Sequence, residues 1–137
     1  MYKRQIYGHY HLPSHTIKLA AAGHPGPVSV NKDGHSQHHD LAGNPIGFFP
    51  TDTACFAEAE IPLGPGERIY FFSDGVVETM DPAQTIIGND RLAEAMAKAR
   101  TGTLDGDLAV IEQALNAWRQ GEPPTDDVSL VVMEREV

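Results

Sequence analysis

An α+β fold with antiparallel sheet is predicted by three features of the sequence. Short apolar-alternating segments crowd the first half, two amphipathic helical stretches lie between residues 89 and 120, and an apolar strand-like run returns at the C-terminal end. At 137 residues the chain is about one domain, long enough for a real core. No repeat, low-complexity tract or linker divides it.

Residues 5 to 11 and 16 to 22 flank Leu12, Pro13 and Ser14 and read as a hairpin, with Ile17, Leu19 and Ala21 alternating in the second strand. The Gly23–Pro27 segment (GHPGP) breaks the pattern, VSV resumes it, and Asn31–Gly34 (NKDG) supplies a polar turn before a His-rich stretch. From Ala42 to Pro65 glycine and proline are dense, with a weaker strand signal in FAEAEIPL, where Phe56, Ala57, Ala59 and Ile61 stand out. ERIYFFSD is the strongest strand, apolar enough to be buried on both faces.

Asn89 or Asp90 can cap a helix through RLAEAMAKAR, with Leu92, Met96 and Ala99 inward and a Glu94/Lys98 pair outward, ending before Gly102. Asp105 or Asp107 then opens a second helix whose stripe of Leu108, Ile111, Leu115 and Trp118 stops at Gly121, Pro123 and Pro124. Met96 and Trp118 are core residues before they are anything else. Val128, Leu130, Val131 and Val132 form a last buried strand.

Ten basic against nineteen acidic side chains give a net charge of −9, which argues against nucleic acid or an anionic membrane as the main partner and suits cations. Cys55 is alone, so no internal disulfide and no Cys cluster is available; a reducing, cytoplasmic setting fits, and the thiol is expected to serve packing. Neither a signal-peptide core nor a membrane-length apolar run is present. MYKRQ resembles the translation of a transposase adapter used in sequencing libraries. Residues 1–5 are therefore set apart, and the reading frame is expected to extend upstream.

The candidate chemistry lies where two strands meet. Asp74 follows an apolar run, and a carboxylate buried there costs several kcal/mol, roughly, unless a partner compensates. Asp126 and Asp127 precede the last strand. Were the two strands antiparallel neighbours, the exit of one would lie beside the entrance of the other and the carboxylates would share a sheet edge. Such a group suits a hard cation, Mg²⁺ or Mn²⁺. On spacing alone a strand-end Asp-Gly turn and a solvated Asp pair explain the same residues.

The motifs FFSDGVVE, AAGHPGP, GNPIG, IGNDRL and PTDDVSLVV, in that order, resemble the metal-dependent protein serine/threonine phosphatases (the PPM superfamily). The likeness is to the bacterial branch of stage II sporulation protein E and the sigma-factor regulatory phosphatases, and it runs from about Ile6 to the C-terminus. It implies two stacked antiparallel sheets flanked by helices, with Asp74 and Asp126 as metal ligands and catalytic residues and Asp127 as a neighbouring ligand. Gly75 would serve backbone geometry beside the metal; Glu78 matches a recurring glutamate. It further implies a binuclear Mn²⁺ or Mg²⁺ centre whose water attacks a phosphoserine or phosphothreonine in line, with no phosphoenzyme. The implied partner is a phosphorylated regulatory protein such as an anti-sigma factor antagonist, with a sensor or receiver domain upstream.

The family's early Gly-Asp-x-x-Asp segment, which supplies a bridging carboxylate, has no match before Asp74, since Asp33, Asp40 and Asp52 sit in other contexts. In family terms the chain, 1–137, is the C-terminal portion of a phosphatase domain, with the first strands and first helix absent. Inactivity of this portion alone is expected, and a noncatalytic phosphoprotein-binding or adaptor domain is the alternative, with a plain cation-binding module as a third. The seven histidines, His9, His11, His15, His24, His35, His38 and His39, raise transition-metal binding, but His35, His38 and His39 are placed in an exposed hairpin loop.

Overall fold

The computed structural model describes residues 3–100 and 102–136. Seven strands, β1 (Gln5–His11), β2 (Thr16–Ala22), β3 (Val28–Val30), β4 (Ser36–His38), β5 (Glu58–Pro62), β6 (Arg68–Phe72) and β7 (Leu130–Glu134), accompany three helices, α1 (Asp74–Val77), α2 (Gly88–Ala99) and α3 (Leu104–Arg119). They form two antiparallel sheets, one ordered β1-β2-β5 and the other β4-β3-β6-β7.

The expected hairpin is β1 and β2, in register from Gln5 opposite Ala22 to His11 opposite Thr16. Alternation sends Ile17, Leu19 and Ala21 to one face, where they meet Ile61, Leu63 and Ile69 in a layer between the sheets. The Asn31 turn forms β3 and β4: the Asn31 side chain accepts the N–H groups of Asp33 and His35, and Gly34 takes φ +82°. On the other face of the second sheet, Val28, Val30, Tyr70 and Phe72 pack beneath Leu92, Met96 and Ala99 of α2 and Ile111 and Leu115 of α3. β6 thus serves both layers, which explains its nearly unbroken apolar run.

Some expectations are corrected. Neither Asn89 nor Asp90 caps α2, which begins at Gly88 without a side-chain cap. Thr103 caps α3 by accepting the Gly106 N–H, and Asp107, proposed as an opener, is fully buried. Asp107 accepts from the Arg68 guanidinium and from the Tyr70 hydroxyl at 2.6 Å, while Arg68 Nε donates to Glu134 at 2.6 Å. Burial works against the charge on Arg68, but hydrogen bonds to Glu134 and Asp107 hold its pKa above the ordinary value. Burial and the Asp107 bond push the Tyr70 hydroxyl well up.

The last strand is an edge strand and not a buried one. Val131 and Met133 are exposed, because β7 has a neighbour on one side only, and Val128 is exposed in the loop before the strand begins. Cys55 is exposed instead of packed. His38 lies in β4, and His39 is half-buried with Nε2 2.8 Å from Ser29 Oγ, so only His35 keeps the exposed-turn placement. Among the described residues no helix is long and apolar enough to cross a membrane.

Candidate metal centre

β6 ends at Phe72 and the chain turns directly into α1, whose first residue is Asp74. Ser73 manages the change. Its backbone N–H donates to the Ser129 carbonyl at 3.0 Å, extending the β6–β7 ladder one residue beyond Phe72 opposite Leu130. Its hydroxyl accepts the Ser129 N–H at 3.0 Å and donates to the Asp127 carbonyl at 3.0 Å. The loop carrying Asp126 and Asp127 is thereby tied to the mouth of α1. Antiparallel pairing of β6 with β7 places strand exit beside strand entrance, the juxtaposition the sequence order allows.

Gly75 fixes how closely the two segments approach. A Cβ there would lie 2.2 Å from the Asp127 carbonyl oxygen and 3.0 Å from its carbon, so any side chain would push the loop away. The requirement for glycine is one of space against backbone. Thr79 Oγ1 donates to the Gly75 carbonyl at 2.9 Å from beneath and helps hold the short helix.

The Asp74 side chain is 26 % exposed. Its Oδ1 accepts the Gly75 N–H at 3.0 Å, and its Oδ2 pairs with the Arg4 guanidinium. Asp126 Oδ1 accepts the Asp127 N–H at 2.7 Å, and both residues are exposed. Glu78 is exposed at the C-terminal end of α1, one turn after Asp74, its N–H donating to the Asp74 carbonyl at 2.8 Å. Asp33, Asp40 and Asp52 are exposed on other loops. His24 is engaged locally, Nδ1 lying 2.9 Å from the Pro25 carbonyl oxygen.

Among the described residues no three His, Cys, Asp or Glu side chains gather into a metal-binding group. Backbone contacts bring Asp74 and the Asp126–Asp127 loop together, while the carboxylates bond locally and, at Asp74, to a cation. An all-oxygen donor set fits Mg²⁺ or Mn²⁺, and the Arg4 guanidinium on Asp74 shows that its outer oxygen accepts positive charge. The described residues thus fit part of such a centre. Ser73 was missed by sequence reasoning; a hydroxyl between the strongest strand and an Asp-Gly pair is the signal that could have found it.

This arrangement of sheets and helices is that of solved PPM-type phosphatase domains. The RsbU and RsbW domains of Rv1364c from Mycobacterium tuberculosis superpose with a TM-score of 0.73 at 23% identity, covering 97% of this chain and 37% of that one. The phosphatase domain of the cell fate determinant SpoIIE from Bacillus subtilis, presoaked in Mn, gives 0.71 at 15% identity, covering 97% and 56%. At the level of sequence, the model of the Stage II sporulation protein E (SpoIIE) family matches residues 1–136, and the chain belongs to that family of PPM-type serine/threonine phosphatases. Protein IcfG of Synechocystis sp. is 25% identical over 138 residues, and the chain spans 21% of its length.

Proposed function

We propose that this chain is the C-terminal portion of a phosphatase catalytic domain that removes phosphate from serine or threonine of a regulatory protein, such as an anti-sigma factor antagonist. The observation that carries this reading is the tie between α1 and the Asp126–Asp127 loop through Ser73 and Gly75, beside Asp74. Asp74 and Asp126 would hold Mn²⁺ or Mg²⁺, with Asp127 as a neighbouring ligand, and a Gly-Asp-x-x-Asp segment encoded upstream would complete the centre. Bound metal supplies a water made acidic enough to react near neutral pH and neutralises phosphoryl charge. The chain's own residues set the spacing: Gly75 lets the loop approach, Ser73 locks it, and the two aspartates present oxygens from opposite segments. The RsbU and RsbW domains of the mycobacterial relative, and the Mn treatment of the SpoIIE crystals, support the choice of partner and metal. A cytoplasmic setting and an upstream sensor or receiver domain belong to the same proposal.

The natural reading frame, extended upstream, is expected to hydrolyse an aryl phosphate only with Mn²⁺ or Mg²⁺, and the 137-residue chain alone to be far slower. Asp74→Asn or Asp126→Asn should each lower the extended protein's rate roughly a hundredfold or more. Full turnover in both variants would remove the site assignment. The Arg4 pairing on Asp74 favours a second reading, a noncatalytic phosphoprotein-binding or adaptor domain. Its mark would be capture of a phosphorylated partner by an extended protein that hydrolyses nothing with either metal.

A further inference from the structure

Two segments meet at the candidate metal centre and part again beside it. One leaves α1 through Met80 and Gln84 and returns at Ile87; the other descends from α3 through Glu122 and Pro123 to Thr125, the residue before Asp126. Between them lies a hollow of about 420 Å³, with Met80, Pro82 and Pro123 as apolar walls and Asp81, Glu122 and Thr125 beside them. It belongs to the helix face of the second sheet. Trp118 Nε1 of α3 donates to the Thr85 carbonyl at 3.1 Å, and Ile87 is buried among the core residues of α2 and α3. No residue of β1 or β7 lines it.

Both walls are set before any ligand arrives. Asp81 Oδ1 accepts the N–H groups of Ala83 at 2.9 Å and Thr85 at 2.8 Å, and Met80 and Ile86 bridge that loop antiparallel. On the opposite wall Gln120 and Gly121 take positive φ, the Glu122 N–H donates to the Arg119 carbonyl at 3.0 Å, and Pro123 and Pro124 stiffen the descent to Thr125. A groove held in this way costs a ligand little ordering. Its charge is of one sign. Among the described residues Glu122 makes no hydrogen bond or ion pair through its side chain, and no Lys or Arg lines the hollow. Arg119 is engaged with the Asn116 side chain and Arg91 stacks on the Trp118 ring, 5.2 Å from its centre, so neither neutralises Glu122.

We propose that this groove receives the polypeptide flanking the phosphorylated residue of the substrate and selects a Lys or Arg in it, an inference that rests on the phosphatase reading above. Met80, Pro82 and Pro123 would cover the aliphatic stem, while Asp81 and Glu122 take the cationic head. Charge complementarity decides the occupant. An acidic segment would meet two carboxylates without a counter-charge, and a wholly apolar one would bury them unpaired. Continuity with the metal centre decides the register: Glu122 is four residues from Asp126, at most about 14 Å of chain, so the cation belongs within about four positions of the phosphoserine or phosphothreonine.

Two phosphoserine peptides of equal length test this, one with Lys and the other with Glu at the second to fourth positions on both sides. Titrated at low ionic strength into the isotope-labelled, metal-free 137-residue chain, the Lys peptide should shift the amide signals of Met80, Asp81, Gln84, Glu122 and Thr125. It should bind about three- to fivefold more tightly than the Glu peptide, the worth of an exposed ion pair. Glu122→Lys should abolish or reverse that preference, whereas Glu112→Lys, the same change of charge on the exposed face of α3, should leave it intact. Unaltered signals elsewhere show that each variant is folded. Equal binding of the two peptides, shifts centred outside the groove, or a preference that survives Glu122→Lys overturns the proposal. In the extended protein with Mn²⁺ the same preference should appear in kcat/KM, while an aryl phosphate, which has no flanking chain, should be turned over alike with and without Glu122→Lys. Hydrolysis that treats the two peptides alike removes the groove and keeps the activity. Lys-selective binding by an extended protein that hydrolyses nothing removes the phosphatase reading and keeps the groove.

Discussion

Tyr70 and Phe72 point from β6 to the helices, while Ile69 and Phe71 point from the same strand to the other sheet, and the two directions end in different environments. On the helix side the layer is closed: Leu92, Met96, Ile111 and Leu115 are all buried, and even the charged Asp107 is sealed in. On the inter-sheet side Ile69 is buried but Phe71 only half so, and next to it Val131 and Met133 meet solvent. The same apolar residue types thus contribute differently according to what covers them. Burial follows from the elements on both sides of a residue and not from its own hydropathy.

Removing the buried anion should produce the largest effect. Asp107→Ala leaves Arg68 with Glu134 as a partial partner and deprives the Tyr70 hydroxyl of its acceptor, in a place water does not reach. A loss of about 3–5 kcal/mol is expected from a broken buried pair, read as a lower midpoint in urea. A loss below about 1 kcal/mol would mean that the helix layer opens readily to water, and the contrast between layers would weaken.

The contrast itself is sharpened by two truncations of similar chemistry. Leu92→Ala, in the closed layer, should cost about 2–5 kcal/mol, whereas Met133→Ala, at the open mouth of the inter-sheet layer between β1 and β7, should cost about 0.5 kcal/mol or less. Equal losses would show that the mouth is covered in solution.

How far this division could be read from the sequence depends on the element. The hairpin β1–β2, the Asn31 turn, strand β6 and the inward faces of Leu92, Met96, Ile111 and Leu115 were legible, because each follows from a local period or a turn residue. The exposure of β7 was not: Val131 and Val132 read as buried, and only the position of the strand at a sheet edge exposes Val131, while Val128 falls in the loop before it. Asp107 read as a helix opener, since an acidic residue near a helix start is ordinary there and its partners Arg68 and Tyr70 are distant in sequence. The meeting of Asp74 with the Asp126–Asp127 loop was legible as a possibility from chain order, and antiparallel pairing realises it. The role of Ser73 depended on a contact 54 residues away, and its one local sign was a hydroxyl between the strongest strand and an Asp-Gly pair.

At the junction between strand and helix, Gly75→Ala should cost about 1–3 kcal/mol, an overpacking penalty, because its Cβ would meet the Asp127 carbonyl at 2.2 Å and neither backbone can yield without breaking the Ser73 bonds. Loss of protection from hydrogen exchange at the Ser129 amide would place the damage there. Unchanged exchange at Ser129 with lowered stability would locate the strain in α1 instead.

The smallest effect belongs to the polar far side, near β4 and β5, where His39 sits half-buried against Ser29 with His38 beside it and His35 and Glu67 lining the same hollow. Burial, and then the charge of His38, lower the His39 pKa below its usual 6.5. The unfolded chain therefore takes up this proton first as pH falls. The contribution is constant above about pH 6.5, stability declines as pH drops from there to the folded-state value, and the loss levels off below it. Melting temperatures between pH 7.5 and 5.5, about a unit either side of the free imidazole, should fall with acidification, and less steeply in His39→Gln. Identical slopes in the two proteins would show that His39 titrates as freely as an exposed histidine, and that the far side is as open to water as the mouth between β1 and β7.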